Sequence, residues 1–296
     1  MMEIKPQTVL DLRKQGIYVY DWSNAIHTFL SCPLSYNYKV ELGLVRKDTE
    51  PSSSLIFGQC LHVALDVWYS DNKNDALAVR KFIELFKDHE EKPKINKKSG
   101  KETTATYTTI YGCSLLTAYF NKYRNDTRAI VKTEIAVAEE LEPGIYYGGR
   151  IDKLLTEPRF VDYKSTKYPN NLRLNPNPQF LGYKFLINKL TGKNVPGEVD
   201  ILPVTKSKDP TDDMNRSPFD FTLYQLENWR KSTVYHIKHI TKCRQENYWP
   251  QTWNCDPYFS ECPYVPLCTL TQEASLMPLM QSMYNVQHWD FMSPMD

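Results

Sequence analysis

The sequence predicts an α/β fold: a mixed sheet core flanked by helices, with a helical N-terminal elaboration and a Cys-rich C-terminal cap. Three observations predict it. Residues 1–130 place apolar side chains mainly at helical spacing, whereas residues 131–165 switch to successive runs of strand formers. A helix, a strand and a long helix then lead to a tail that is rich in Cys, Pro and aromatic residues from 250 onward. The divisions 1–130, 131–249 and 250–296 are read as parts of one integrated domain, the last packing back on the first.

In the first part, residues 23–43 read as a helix with Ser23 as N-cap candidate and Gly43 as the stop. Leu55, Leu61, Leu65 and Trp68 mark a second helix over 54–70, and further helices are expected over 74–91 and 108–124. Residues 92–106 are polar and lysine-rich and read as a mobile loop. Strands are expected over 131–141, 145–155 and 159–165. Asn177 as N-cap, Pro178 at the first helical position and Gly192 as the stop delimit a helix. A strand over 197–205, a helix over 222–247 and a short Met-rich helix at the chain's end complete the reading.

The 296 residues suffice for a large core, and a charged fraction of 24% is ordinary for a globular protein. Net charge is +1, so affinity for nucleic acid must come from local patches. The 20 tyrosines suit either a core or a base-stacking surface. No apolar run reaches membrane-spanning length, and the first 16 residues lack the apolar centre of a secretory leader. With seven unevenly spread cysteines, this predicts a reducing cytoplasmic setting and no disulfide framework.

The stretch 146-YYGGRIDKLLTEPRFVDYKST-166 reads as a hairpin. A three-residue loop at Thr156–Pro158 pairs Leu155 with Arg159, and counting outward sets Asp152 opposite Asp162 and Arg150 opposite Lys164. Asp152, Asp162 and Lys164 then share one face with Leu154 and Phe160. Two carboxylates about 4 Å apart repel by roughly 4 kcal/mol at an effective dielectric of 20. A divalent cation between them reverses the sign, and oxygen ligands suit Mg²⁺ or Mn²⁺ better than zinc. The simpler alternative is a solvated sheet face with Lys164 as a cross-strand partner.

Two further features flank the hairpin and give four motifs in order: Gly-x-x-x-His at 58–62, Gly-Arg-Ile-Asp at 149–152, Asp-Tyr-Lys at 162–164 and Gln-x-x-x-Tyr at 179–183. Alone, His62 reads as a core histidine, Tyr183 as core and Gln179 as an exposed first-turn residue. As an ordered set they resemble the RecB-like branch of the PD-(D/E)XK nuclease superfamily, which includes AddB nuclease domains and CRISPR-associated RecB-like exonucleases. The resemblance implies a restriction-endonuclease-like core. It implies metal ligation by His62, Asp152, Asp162 and the Tyr163 carbonyl, and a catalytic role for Lys164. Gln179 and Tyr183 would contact the DNA backbone or fix Lys164. Glu134, on the preceding strand and near the site, reads as structural or as a neighbour of the ligands rather than as a ligand. The implied activity is Mg²⁺- or Mn²⁺-dependent hydrolysis of DNA, most simply from single-stranded ends, in DNA processing, recombination or repair. A compact chain with no helicase region fits a stand-alone viral or CRISPR-like role.

Some members of that branch hold a 4Fe-4S cluster with one cysteine before the core and three after it. Here the matching residues are Cys32, Cys255, Cys262 and Cys268, with six residues between Cys255 and Cys262 where two are commoner. A structural Cys₄ zinc site or ordinary buried thiols are the alternatives. Cys60, Cys113 and Cys243 read as structural. Lys167, Arg173, Lys206 and Lys208 are candidate phosphate contacts, and Tyr168 a candidate base-stacking residue. Lys92, Lys94, Lys97 and Lys98 either cover a DNA channel or are solvated. Two rivals to catalysis stand beside this reading: a non-catalytic DNA-binding or recombination accessory protein, and a structural-zinc module.

Overall fold

The computed structural model describes residues 8–95, 102–205, 209–256 and 261–293. The chain opens with α1 (Val9–Lys14) and the two-residue strand β1 (Val19–Tyr20). The helix expected over 23–43 is broken. A π-helical turn at Trp22–Ile26 leads to α2 (His27–Ser31), α3 (Pro33–Tyr36) and a second π turn at Asn37–Glu41. Asp21, not Ser23, caps the start, accepting from the amides of Asn24 and Ala25 at 2.8 and 3.1 Å. The break falls at extended Cys32, before Pro33, because proline has no amide hydrogen and clashes with the preceding turn.

Next come β2 (Leu44–Arg46), α4 (Ser53–Ser70) and α5 (Asp75–Phe86). The lysine-rich stretch contributes β3 (Lys94–Ile95) and β4 (Glu102–Thr103), which pair antiparallel. Lys97 and Lys98 lie outside the described residues. After α6 (Thr109–Tyr123) come the long strands β5 (Ile130–Glu142), β6 (Ile145–Leu155) and β7 (Arg159–Thr166). Then follow α7 (Pro178–Thr191), β8 (Gly197–Pro203), α8 (Pro210–Asp213), β9 (Asn215–Phe219) and α9 (Leu223–Glu246). The tail holds α10 (Val265–Cys268), α11 (Leu276–Met283) and β10 (Tyr284–Val286). The Met-rich helix is therefore followed by a strand, which pairs with β2. Strand β9 escapes sequence reading because it is polar and carries Pro218, which an edge strand tolerates.

The sheet runs β1-β6-β7-β8-β9, with β5 on the other side of β6. β8 is buried along its whole length, as befits an inner strand parallel to β7. Two apolar layers cover the sheet. One gathers Phe180, Leu186, Trp229 and Ile237 from α7 and α9 with Phe29 and Tyr36. The other gathers Phe57, Trp68, Phe82 and Phe120 from α4, α5 and α6. Each such aromatic stabilises the fold by roughly 1.5–3 kcal/mol through burial.

The feature that positions the site is a seam in the sheet. β5 pairs with β6 along most of its length. On the opposite edge, β7 pairs only at Lys153–Leu155 and β1 only at Tyr146–Tyr147. Leu155 pairs with Arg159, as a three-residue loop requires, but the ladder ends at Lys153↔Val161, one pair short of Asp152 and Asp162. The expected pairing of Arg150 with Lys164 is absent among the described residues: Arg150 instead donates to the Phe291 carbonyl.

Candidate active site

At the seam the two helical layers reach the same acids. His62 comes from α4, where a β-carbon at Gly58 would stand 3.1 Å from the Ser165 hydroxyl, so the glycine sets how closely α4 approaches β7. Its Nδ1 lies 3.3 Å from Asp152 Oδ1. The other Asp152 oxygen accepts from the Tyr163 amide at 2.6 Å, so a side chain replaces the missing ladder bond. The amide of Tyr163 is thus what faces the acids, while its ring turns into the opposite core layer.

Lys164 Nζ lies 2.9 Å from Asp162 Oδ2 and donates to Gln179 Oε1 at 3.3 Å. Gln179 donates in turn to the Tyr183 hydroxyl at 3.0 Å and to Ser23 Oγ at 3.3 Å. α7 presents Gln179 and Tyr183 one turn apart because Asn177 caps its first amides at Gln179 and Phe180. The Tyr183 ring lies over Gly149, where an added β-carbon would come within 3.1 Å of it. Gln179 therefore links the lysine to Tyr183 and Ser23.

Glu134 was the residue that sequence reasoning set aside. It stands between the pairs Thr133↔Lys153 and Ile135↔Ile151, opposite Asp152. Ligand atoms of His62, Glu134 and Asp152 lie within 4.8 Å of one another. Both Glu134 carboxylate oxygens are buried without a hydrogen-bond donor, and Arg150 approaches no closer than 3.6 Å. Its backbone is left-handed, with φ at 47°, a strained state for a side-chain-bearing residue. Counting from the Glu142↔Ile145 turn pair would set Ile135, not Glu134, against Asp152. The irregularity between Glu140 and Glu142 shifts the register by one residue, which a sequence does not reveal.

The charges respond to this crowding. Burial, offset by Lys164 but reinforced by Asp152, raises the Asp162 carboxyl to about 6. Burial and the Asp152 charge raise Glu134 to about 8. For Asp152, burial is outweighed by His62, the Tyr163 amide and Lys164, and its pKa falls. For Lys164, burial is outweighed by Asp162 and Asp152, so the ammonium persists above its usual range. Unsatisfied, mutually repelling carboxylate oxygens beside one imidazole fit a divalent cation of the Mg²⁺ or Mn²⁺ type. Asp162 stands outside the closest trio, but the charges of both Asp152 and His62 act on it.

A sequence model of the PD-(D/E)XK nuclease superfamily matches residues 23–269. The chain belongs to that superfamily. No curated protein sequence matches it. Among solved structures, this PD-(D/E)XK nuclease is similar to a protein from Eubacterium rectale designated a "putative exonuclease". That pair has a TM-score of 0.56 and 12% identity, covering 94% of this chain and 98% of the other. A protein designated SSO0001 matches at a TM-score of 0.31 and 13% identity, over 78% of this chain and 91% of its own. At such identities the first likeness concerns the fold.

Lys167 is exposed and lies over the Tyr107 ring at 4.7 Å. Tyr168 is 68% exposed, and Arg173 is exposed on the same β7–α7 connection. Lys206 and Lys208 fall outside the described residues. Cys32, Cys255, Cys262 and Cys268 all line one cavity of about 100 Å³. The Cys262 amide donates to the Cys255 carbonyl at 2.6 Å. No helix among the described residues is long and apolar enough to cross a membrane.

Proposed function

We propose that this chain is a divalent-metal-dependent deoxyribonuclease acting from single-stranded DNA ends in DNA processing, recombination or repair. The observation that carries it is the meeting, at one open seam, of an acid–imidazole trio with a lysine fixed by Asp162 and Gln179. His62, Glu134 and Asp152 would hold the ion, with Asp162 and the Tyr163 carbonyl completing its surroundings. A Mg²⁺ or Mn²⁺ ion there supplies charge neutralisation and a more acidic water. Lys164 Nζ, kept protonated between Asp162 and Asp152, donates to a phosphoryl oxygen as negative charge builds on it. Gln179 keeps that ammonium aimed at the seam, and Tyr183 keeps the Gln179 amide from rotating. Lys167 and Arg173 reach backbone phosphates beside the seam and Tyr168 stacks on a base. The name given to the Eubacterium rectale neighbour supports end-directed action.

We assign a 4Fe-4S cluster to the four cysteines. They converge on one cavity, and four thiolates are the usual ligand set of such a cluster.

The test is digestion of 5′- and 3′-labelled single- and double-stranded DNA with Mg²⁺ or Mn²⁺. Asp162→Ala and Lys164→Ala are expected to lower turnover at least 100-fold. Undiminished digestion by either variant refutes the assignment. DNA binding by the unaltered protein with no turnover in either metal favours the accessory-protein reading.

A further inference from the structure

Arg150 stands between the Glu134 carboxylate and the segment that follows β10, and no step of the proposed hydrolysis uses it. Its Nε and Nη2 donate to the Phe291 carbonyl at 3.1 and 2.6 Å, and Nη2 also donates to the Ser293 carbonyl. Its Nη1 lies 3.6 Å from Glu134 Oε2, beyond hydrogen-bond distance, and both Glu134 carboxylate oxygens are left without a donor. The two side chains are only 14% and 15% exposed, so solvent screens their attraction weakly. The segment is shaped for this contact. The Gln287 amide donates to the Gly43 carbonyl at 2.7 Å and anchors its start. Asp290 accepts from the Met292 amide and the Ser293 hydroxyl, both at 2.9 Å, and so folds the turn that presents both carbonyls to one guanidinium. The Phe291 ring is buried against Gly148 and Val19, and any β-carbon at Gly148 would overlap it. Gly148 and Arg150 lie two apart on β6 and meet the same strap from one face.

We infer that Arg150 and this strap are positioning residues for the metal site: by holding the guanidinium, the strap keeps Glu134 free to ligate the cation. A carboxylate is a stronger acceptor for a guanidinium than a carbonyl is, because both partners of that bond are charged. Shortening 3.6 Å to the usual length of about 2.9 Å would let Nη1 donate to Glu134. The two carbonyls on Nε and Nη2 prevent that approach. With the strap released, Arg150 pairs with Glu134, and an incoming cation must break the pair to bind. Arg150 and Phe291 thus act on cleavage through Glu134. The inference rests on the reading of Glu134 as a ligand and adds what keeps that ligand available.

The experiment is a mutant cycle in the full chain, with Mn²⁺ binding followed by electron paramagnetic resonance of the free ion and no DNA present. Phe291→Ala is expected to weaken Mn²⁺ binding on the order of 10-fold or more while Arg150 is in place. In an Arg150→Ala background the same change should alter affinity by less than about 2-fold, because no guanidinium remains to compete. Asp290→Ala, which opens the turn and leaves the Phe291 ring, should act in the same direction with the same dependence on Arg150. It decides the question where Phe291→Ala melts too low to assay. No loss in either folded variant overturns the inference. So do equal losses with and without Arg150, which make the strap a purely structural support. Metal-free melting curves supply a second readout. In the otherwise unaltered chain, Glu134→Gln should leave the melting temperature unchanged or higher, since the carboxylate has no donor to lose. Combined with Phe291→Ala or Asp290→Ala it should lower the melting temperature, by breaking the new pair with Arg150. The same response in both settings overturns the inference. Failure of the unaltered protein to bind Mn²⁺ strikes the ligand assignment, and these melts still decide where Arg150 goes when the strap is released.

Discussion

Asp162 and Glu134 keep their protons to about pH 6 and about pH 8, mainly because burial strips water from their charged forms. Both pKa values lie above those of exposed acids, so their contribution to stability is complete below about pH 4 and lost as pH rises through 6 and then 8. The metal-free protein is therefore expected to lose melting temperature between pH 5 and pH 9 through these two groups. Added Mn²⁺ should stabilise it more at pH 8 than at pH 6, because the cation competes with fewer protons. A Mn²⁺-induced shift that is flat or larger at pH 6 contradicts this account. The same repulsion predicts that Asp162→Asn abolishes cleavage. Without metal, that variant should leave stability at pH 8 unchanged or higher by on the order of 1 kcal/mol. Lys164 retains Asp152 as a countercharge in that variant.

At the scale of elements, α7 aims the lysine clamp and its start is fixed by one side chain. Asn177 accepts from two amides, and Gly192 ends the helix in the left-handed conformation at φ 68°. Asn177→Ala is expected to cost about 1 kcal/mol in a denaturant melt. Because one of the two amides belongs to Gln179, kcat should fall more than DNA affinity. Equal loss in both would assign the cap a purely structural role. Behind the seam, Lys153 of β6, Asp200 of β8 and Arg216 of β9 build a buried brace. Lys153 lies 3.6 Å from Asp200 and 4.0 Å from the Tyr69 ring, and Arg216 reaches Asp200 at 3.1 Å. Tyr119 donates to the other Asp200 oxygen at 2.7 Å. These contacts tie β6, β8, β9, α4 and α6 together, so the splayed strands have a fixed backing.

Across the whole molecule, the segment 32–46 and the tail are joined. β10 pairs with β2, Tyr264 donates to the Leu44 carbonyl at 2.8 Å, and Tyr38, Tyr264 and Tyr284 share a small core. The four cysteines sit at this junction, Cys32 from one end and three from the other. The proposed cluster would staple segments more than 200 residues apart. Anaerobically purified protein is expected to contain about four irons per chain. Cys268→Ser should lose that iron and melt earlier while still binding Mn²⁺ at the seam. Stoichiometric zinc with no iron in the unaltered protein would replace the cluster with a structural zinc.

The sequence by itself determined the element types of the core, the limits of α7 and the pairing of Leu155 with Arg159. Those features are local: capping, periodicity and a three-residue loop act over a few residues. Tertiary structure decided that Glu134 joins His62 and Asp152, because a single bulge in β5 resets which side chains meet. It also decided that β6 and β7 part before Asp152 and Asp162, and that β1 pairs on that edge of β6 only at Tyr146 and Tyr147. The hydrogen bond from Gln179 to Ser23 likewise joins distant segments. Register and proximity of this kind are set by what packs against each strand, and no short stretch of sequence contains both partners.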